Sequence, residues 1–446
     1  MVDVEIVVIN MNRVVIKTQD KNKRIKNFDE VSFTLSKEAA IKEANRCLNC
    51  PNPNCMKGCP VNIRIPEFIQ SIKNDDLELA NKIIRDANNL PEICGRVCPQ
   101  ESQCEKYCIQ GFKGESVAIG ALERYVADNA KNKELINVKK NGKKVAIIGS
   151  GPSGLSCAYE LIKNGFDVTI YESLHKAGGV LTYGIPSFRL PKELVQNIID
   201  DLETNGVKFI YNAIVGKNIL LSELQKEYDA IFIGTGAGLP KFMNIKNETA
   251  NGVFSANEIL TRINLMSDKT PLYEASNACV IGGGNVAMDA ARSLRRMGMN
   301  VTIVYRRNEE LLPARKEEYV HALEEGIKFD FLTLPKEVLI DDDNNVLGLK
   351  VIKTKIDDDK VVELSGTEYN LGCDMVVMAL GTTPAKLINS EELLNVSDKG
   401  LIITDDYLTN INNVYAGGDA ITGSATVIKA MEAGKKAAIK IIESLS

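Results

Sequence analysis

The chain has 446 residues, 44% of them hydrophobic and 25% charged, with a formal net charge of −5. That length exceeds a single compact core and predicts two or three domains, while the weak acidity leaves no basic field to hold nucleic acid or an anionic membrane. No apolar stretch approaches the ~20 residues of a bilayer span, and Asp3 and Glu5 stand where a signal peptide carries positive charge, so a cytoplasmic location is expected.

Residues 1–30 read as an N-terminal arm: short β-prone pieces, then a basic run from Lys21 to Lys26 expected to form a solvated arm or an edge strand. Residues 31–140 predict a helical domain, with helical periodicity over 38–46, 65–87 and 116–128. Its helices are interrupted by two loops that hold eight of the eleven cysteines. Cys47, Cys50, Cys55 and Cys59 are spaced C-x2-C-x4-C-x3-C-P, and Cys94, Cys98, Cys104 and Cys108 follow as C-x3-C-x5-C-x3-C. Such crowding points to metal ligands, because thiolates that share a cluster must come from short, tightly turned stretches. The Cys59-Pro60 ending matches the bacterial ferredoxin run that closes a [4Fe–4S] site, although four residues rather than two separate Cys50 from Cys55, which predicts a wider loop. Eight ligands suit two clusters. A disulfide framework would not persist in a reducing cytosol. A pair of four-thiolate zinc sites is the more serious rival, and the five-residue gap from Cys98 to Cys104 fits it poorly.

The polar stretch 131–144, with Asn141-Gly142 as a turn signal, reads as a linker, and beyond it strands alternate with helices. Two segments superimpose without a gap: Gly149, Gly151 and Gly154 fall on Gly282, Gly284 and Ala287, and Val168, Thr169 and Ile170 fall on Val301, Thr302 and Ile303. Each copy reads as a strand, a Gly-rich turn, a helix and a second strand. The predicted fold is α/β, with two Rossmann-like dinucleotide-binding domains after the helical domain, one in segments 141–265 and 385–446 and the other, 266–384, inserted between them. They imply two dinucleotides, or one dinucleotide and one flavin nucleotide, and the residues that follow favour FAD at the first and NADP at the second.

In the first copy, Gly149 makes the tight turn, Gly151 lets backbone approach a pyrophosphate, and Gly154 lets helix and strand pack closely. Glu172 ends the second strand, where a carboxylate can accept ribose hydroxyls. Gly178-Gly179 follow the acid, Gly234-Thr235-Gly236 end an apolar strand, and Gly417-Gly418-Asp419 follow another. Ala425, Thr426 and Val427 then open a helix whose N–H groups suit the charge of a reduced flavin. In the second copy the position of Glu172 is taken by Tyr305, followed by Arg306 and Arg307, with Arg315 beyond. Guanidinium groups at that strand end suit a 2′-phosphate, so NADP(H) is expected over NAD(H). Cys157, Cys279 and Cys373 read as small apolar core residues, which disfavours disulfide-reductase chemistry, and His175 and His321 read as solvated.

These residues resemble the glutamate synthase small-subunit family of FAD/NADPH iron–sulfur oxidoreductases. The likeness runs through Cys47-Leu48-Asn49-Cys50, Cys59-Pro60-Val61-Asn62-Ile63, Cys94-Gly95-Arg96-Val97-Cys98-Pro99, Gly120-Ala121-Leu122-Glu123-Arg124-Tyr125, Tyr183-Gly184-Ile185-Pro186 and Arg189-Leu190-Pro191-Lys192. The family also takes in the large subunit of NADH-dependent ferredoxin:NADP oxidoreductase, the sulfide dehydrogenase FAD subunit and the N-terminal half of dihydropyrimidine dehydrogenase. The resemblance implies ligation of one cluster by Cys47, Cys50, Cys55 and Cys108, and of the other by Cys59, Cys98, Cys104 and a fourth group, Glu123 or alternatively Cys94. It further implies that electrons pass between NADPH, FAD and two [4Fe–4S] clusters. The leading expectation is the NADPH-oxidising subunit of glutamate synthase, working with a large subunit that supplies the glutamine and 2-oxoglutarate chemistry. The alternative is the FAD/NADP(H) subunit of a ferredoxin-linked or sulfur-reducing oxidoreductase, with a small flavoprotein as partner. A reading from a different class is a zinc-stabilised binding module. Candidate FAD contacts are Gly149, Gly151, Pro152, Ser153, Gly154, Glu172, Gly179, Leu181, Arg189, Gly236, Gly418, Asp419, Ala425, Thr426 and Val427. Those for NADP are Gly282, Gly284, Asn285, Val286, Ala287, Arg306, Arg307 and Arg315.

Overall fold

The computed structural model describes residues 12–130, 136–266 and 275–446. The chain divides into two compact units, residues 1–18 with 32–132 and residues 19–31 with 133–446. The first is helical, with helices Lys37–Ala44, Ile65–Lys73, Leu77–Ala87, Pro91–Val97 and Ile119–Asn129. Ser36 caps the first of these by accepting the Ala39 N–H. The periodic stretch 65–87 is two helices rather than one: Asp75 takes φ +59°, and Asp76 caps the second helix through the Leu79 N–H at 3.0 Å. Phe68, Ile69, Ile72, Ile84, Leu122 and Val126 pack into the core, and Cys104 and Cys108 are buried in the same cluster.

In the second unit five parallel strands run in the order Val414–Ala416, Ala230–Ile233, Lys144–Ile148, Asp167–Tyr171, Lys208–Ile210. The helix Pro152–Lys163 follows the first glycine turn and packs against the C-terminal helix Val427–Leu445. A second parallel sheet has the order Val253–Ser255, Met375–Met378, Asn277–Ile281, Asn300–Tyr305, Lys328–Phe331. Antiparallel strands Thr333–Ile340, Val346–Asp357, Lys360–Glu363 and Tyr369–Gly372 lie in the chain between Lys328–Phe331 and Met375–Met378 and form a meander in which Val346–Asp357 pairs with the other three. The chain crosses between the two parallel sheets at Leu239–Pro240 and Thr382–Thr383, which pair with each other.

Two expectations change here. The strand Val253–Ser255, assigned in sequence to the first nucleotide domain, bonds to Met375–Met378 and so belongs to the second sheet. Nor is the basic run near residue 21 wholly solvated. Asp20 caps a short helix, Lys21–Arg24, and Arg24 is 1% exposed, with Nε bonded to Glu325 at 2.9 Å and Nη2 to Glu324 at 2.7 Å.

Candidate nucleotide and metal sites

The first glycine turn has the shape its residue types predict. Gly149 adopts φ +99°, and a Cβ there would stand 2.6 Å from the Gly234 carbonyl oxygen. A Cβ on Gly154 would collide with the Gly149 carbonyl, whereas at Gly151 it would meet open space, which leaves the backbone accessible to a phosphate. Pro152 and Ser153 open the helix behind Gly151 and are buried. Glu172, 4% exposed, accepts from Ser150 N–H at 3.0 Å, Ser150 Oγ at 2.5 Å and Leu174 N–H at 2.8 Å. Ser150 Oγ in turn accepts the Gly178 N–H at 3.0 Å, tying the acid to the double-glycine turn. Ser150 was not singled out in sequence, and its place between the first two glycines was the available signal.

Asp419 begins the short helix Asp419–Thr422 and accepts the Ala425 N–H at 3.2 Å. Burial pushes its carboxyl up to about 6, opposed by that hydrogen bond. Beside it, the buried Thr426 Oγ has no hydrogen-bond partner among the described residues, an orphaned donor and acceptor of the kind a bound polar ring satisfies. Gly179, Gly236 and Gly418 all have positive φ, and Leu181 is buried. Lys192, also not singled out, donates from Nζ to the Leu181 carbonyl at 2.9 Å and to the Ile185 carbonyl, and burial lowers its pKa to about 7.

Arg189, expected among the FAD contacts, sits in a network of buried ion pairs. Its Nη1 bonds both carboxylate oxygens of Asp289, at 2.8 and 2.7 Å, and its Nε lies 3.0 Å from Glu318. All three side chains are buried, so this guanidinium is committed to neutralising two carboxylates. The network continues through Arg292, which bonds Glu318 and Glu325 and stacks on Phe188. His321 lies within it, 6% exposed and lowered in pKa by burial, which corrects its reading as solvated; His175 is exposed.

The second glycine turn repeats the first with one exchange. Gly282 has φ +139°, the space at Gly284 is open, and Ala287 is fully buried. Where Ser150 meets Glu172, Gly283 meets the Tyr305 ring: a Cβ on Gly283 would stand 2.6 Å from it. The Tyr305 hydroxyl donates to the Leu311 carbonyl at 2.8 Å, so no carboxylate occupies this strand end. Arg306 follows with an exposed side chain, and Arg307 is half-buried with no hydrogen-bond partner for its buried Nε among the described residues. Asn285 Oδ1 accepts the Arg315 N–H at 2.9 Å, and the Arg315 guanidinium pairs with Glu317 at 2.8 Å. Val286 is exposed beside them.

In the helical unit the thiols fall into two neighbourhoods. Burial raises Cys47 and Cys55, the latter to about 12, and Cys108 and Cys50 press on both of them. Burial likewise raises Cys59 to about 12, with Glu123 and Cys98 nearby, and raises Cys104, which has Glu123, Cys59 and Cys98 around it. Backbone N–H groups of Asn49, Met56, Val61 and Ile63 donate to the Cys47, Cys55 and Cys59 sulfurs, an arrangement that favours thiolate and so suits metal ligation. The tight turn at Asn49, φ +48°, brings the first N–H round. Glu123 and Cys94 both reach the second neighbourhood. Glu123 accepts from Asn88 Nδ2 at 2.6 Å and is pushed up to about 7 by burial, while Cys94 shares hydrogen bonds with Cys98 and Asn88. Gly95 permits this convergence, because a Cβ there would stand 2.8 Å from the Arg124 backbone. Buried Glu43, missed in sequence, clamps the loops by accepting from Val14 N–H, Ala118 N–H and Arg46. Among the described residues no three His, Cys, Asp or Glu side chains form a group that could hold a single metal ion.

Two nucleotide-binding turns on parallel sheets, with a cysteine-rich helical unit before them, define an FAD/NADP oxidoreductase carrying a 4Fe-4S domain. Residues 24–135 match the family described as dihydropyrimidine dehydrogenase domain II, 4Fe-4S cluster, and residues 143–434 match the pyridine nucleotide-disulphide oxidoreductase family. The glutamate synthase [NADPH] small chain of Escherichia coli is 33% identical over 94% of this chain and 94% of its own length. The putative oxidoreductase AegA of the same organism is 36% identical over 94% of this chain, which spans 67% of it. Among solved structures, FprA of Mycobacterium tuberculosis in complex with NADPH shares the fold, with TM-score 0.59 and 21% identity over 68% of this chain and 84% of that one. The chain belongs to the glutamate synthase small-chain family of NADPH-dependent oxidoreductases. Among the described residues no helix is long and apolar enough to cross a membrane.

Proposed function

We propose that this chain is the electron-input subunit of an NADPH-dependent glutamate synthase, moving electrons between NADPH and two [4Fe–4S] clusters. The observation that carries the reading is the match to a glutamate synthase small chain over 94% of both chains. The division of the thiols into two neighbourhoods supports two clusters: Cys47, Cys50, Cys55 and Cys108 for one, and Cys59, Cys98, Cys104 and Glu123 for the other. Cys94 is the alternative to Glu123.

When bound, FAD accepts an electron pair as hydride and releases electrons singly, which is what clusters require. The chain's own residues bind and orient. Gly151 and the helix behind it accommodate the pyrophosphate, Glu172 holds ribose hydroxyls, and Asp419 bonds the ribityl chain. Arg306 and Arg307 hold the 2′-phosphate, with Arg315 supporting. Glutamine hydrolysis and the reductive amination of 2-oxoglutarate by the ammonia released fall, on this reading, to a large subunit. The test is direct: the purified chain with NADPH reduces an artificial dye but forms no glutamate from glutamine and 2-oxoglutarate until a large subunit is added. Glutamate production by the single chain overturns the assignment.

A second reading is an input subunit for a different oxidoreductase, favoured by the 36% identity to AegA. It keeps the same electron path and changes only the acceptor. Failure of a glutamate synthase large subunit to take electrons from this chain would select it.

A further inference from the structure

We infer that Thr354, on the antiparallel meander, and Leu332, at the turn that leads into it, are positioning residues for 2′-phosphate recognition by Arg306 and Arg307. This rests on the reading of that strand end as the 2′-phosphate site.

The two arginines follow the strand Asn300–Tyr305 directly and lie outside its ladder, so their backbone needs another anchor. The meander supplies it. Thr354 lies on the strand Val346–Asp357 and is 2% exposed, and its hydroxyl donates to the Arg306 carbonyl at 2.9 Å. Its own N–H donates to the Leu332 carbonyl at 2.8 Å, and the Leu332 N–H donates to the Arg307 carbonyl at 3.0 Å. Both arginine carbonyls are therefore held by a short relay from one threonine. Leu332 makes its link from φ +51°, a left-handed conformation that a leucine adopts at a cost. That conformation turns the chain from the strand Lys328–Phe331 into the meander while its N–H faces the arginine loop.

The consequence is a division of labour. The guanidinium groups carry the charge, Arg306 exposed and Arg307 with an unpartnered Nε, while the relay fixes the backbone from which they project. Bidentate recognition of a phosphate depends on that geometry, since a displaced fork forfeits one of its two bonds. Neither Thr354 nor Leu332 is assigned any contact with the nucleotide.

The test uses the flavin-loaded, full-length protein and measures dissociation constants for adenosine 2′,5′-bisphosphate and for adenosine 5′-monophosphate by calorimetry. Thr354→Val keeps the shape and removes the hydroxyl, Thr354→Ser keeps the hydroxyl, and Arg306→Glu serves as the reference. The expected result is a three- to tenfold weaker bisphosphate affinity in Thr354→Val with the monophosphate unchanged, rescue in Thr354→Ser, and a larger loss in Arg306→Glu. Unchanged bisphosphate affinity in Thr354→Val alongside a loss in Arg306→Glu overturns the inference and leaves the site standing. Equal weakening of both ligands in Thr354→Val also overturns it, because the role would then be general support of the domain. No loss in either variant refutes the 2′-phosphate site itself.

Discussion

Ser150 meets Glu172 through both its N–H and its hydroxyl, and at the matching point of the second nucleotide unit Gly283 lies against the Tyr305 ring. The same position in the two turns thus does opposite things: one holds a carboxylate at the strand end, and the other makes room for an aromatic ring where no carboxylate stands. On the proposed assignment, that exchange would separate a site for free ribose hydroxyls from one open to a 2′-phosphate.

Replacing Glu172 with Ala removes the proposed ribose acceptor and leaves the Ser150 and Leu174 N–H groups without their partner. Charge-assisted contacts of this kind are worth ~1.5–3 kcal/mol each, about ten- to a hundredfold in affinity. The expected outcome is a variant that loses most of its FAD on gel filtration while its iron content is retained. Full flavin occupancy after that step would mean that Glu172 does not hold the ribose.

At the second turn, Arg306→Glu with Arg307→Ala should lower the NADPH preference over NADH by about ten- to a hundredfold per arginine on the same arithmetic. Steady-state kinetics with a dye acceptor and both nucleotides measures it. An unchanged ratio would place the phosphate elsewhere.

Cys50→Ser should cost about four iron atoms, one [4Fe–4S] cluster, and leave FAD bound, because the flavin residues lie in the other compact unit. Glu123→Ala should likewise lose or alter one cluster, whereas Cys94→Ala should keep both. Iron analysis with electron paramagnetic resonance separates the two candidates. Loss of a cluster in Cys94→Ala but not in Glu123→Ala would transfer the ligand role to Cys94.

Arg292 neutralises Glu318 and Glu325 in the buried network, and both carboxyls are held at about 2, below their ordinary 4.5, by the arginines that offset their burial. A depressed folded-state value contributes stability that is complete above the unfolded value and lost as pH falls from about 4.5 towards 2. Arg292→Met leaves these carboxylates short of a partner and should destabilise the nucleotide unit by ~3–5 kcal/mol at neutral pH. Thermal melts should show the gap between variant and parent narrowing below pH 4.5 as the carboxyls protonate. A gap that holds constant with pH would deny the charge pairing its role.

What could be read in the sequence were features whose partners lie at short, regular spacings. The two glycine turns belong to this class, because a turn fixes their geometry locally, whereas the thiol neighbourhoods join Cys55 to Cys108 and Cys59 to Cys98 across both runs. Arg24 and His321 were misread for the converse reason. Arg24 meets Glu325 across 301 positions and Arg189 meets Asp289 across 100, so nothing near them in the chain announces the contact. The strand Val253–Ser255 was placed with the wrong sheet because a three-residue apolar strand suits either one, and only its pairing with Met375–Met378 decides. Lys192 acts through backbone carbonyls that side-chain patterns do not reveal.

The central claim is that this chain joins an NADPH-reducible flavin to two iron–sulfur centres, and its most direct test is metal and flavin analysis of anaerobically purified protein. The account predicts about eight iron atoms and one FAD per chain, as two [4Fe–4S] clusters require, with visible absorbance that bleaches on adding NADPH. Stoichiometric zinc with little iron, in a colourless protein, would contradict it.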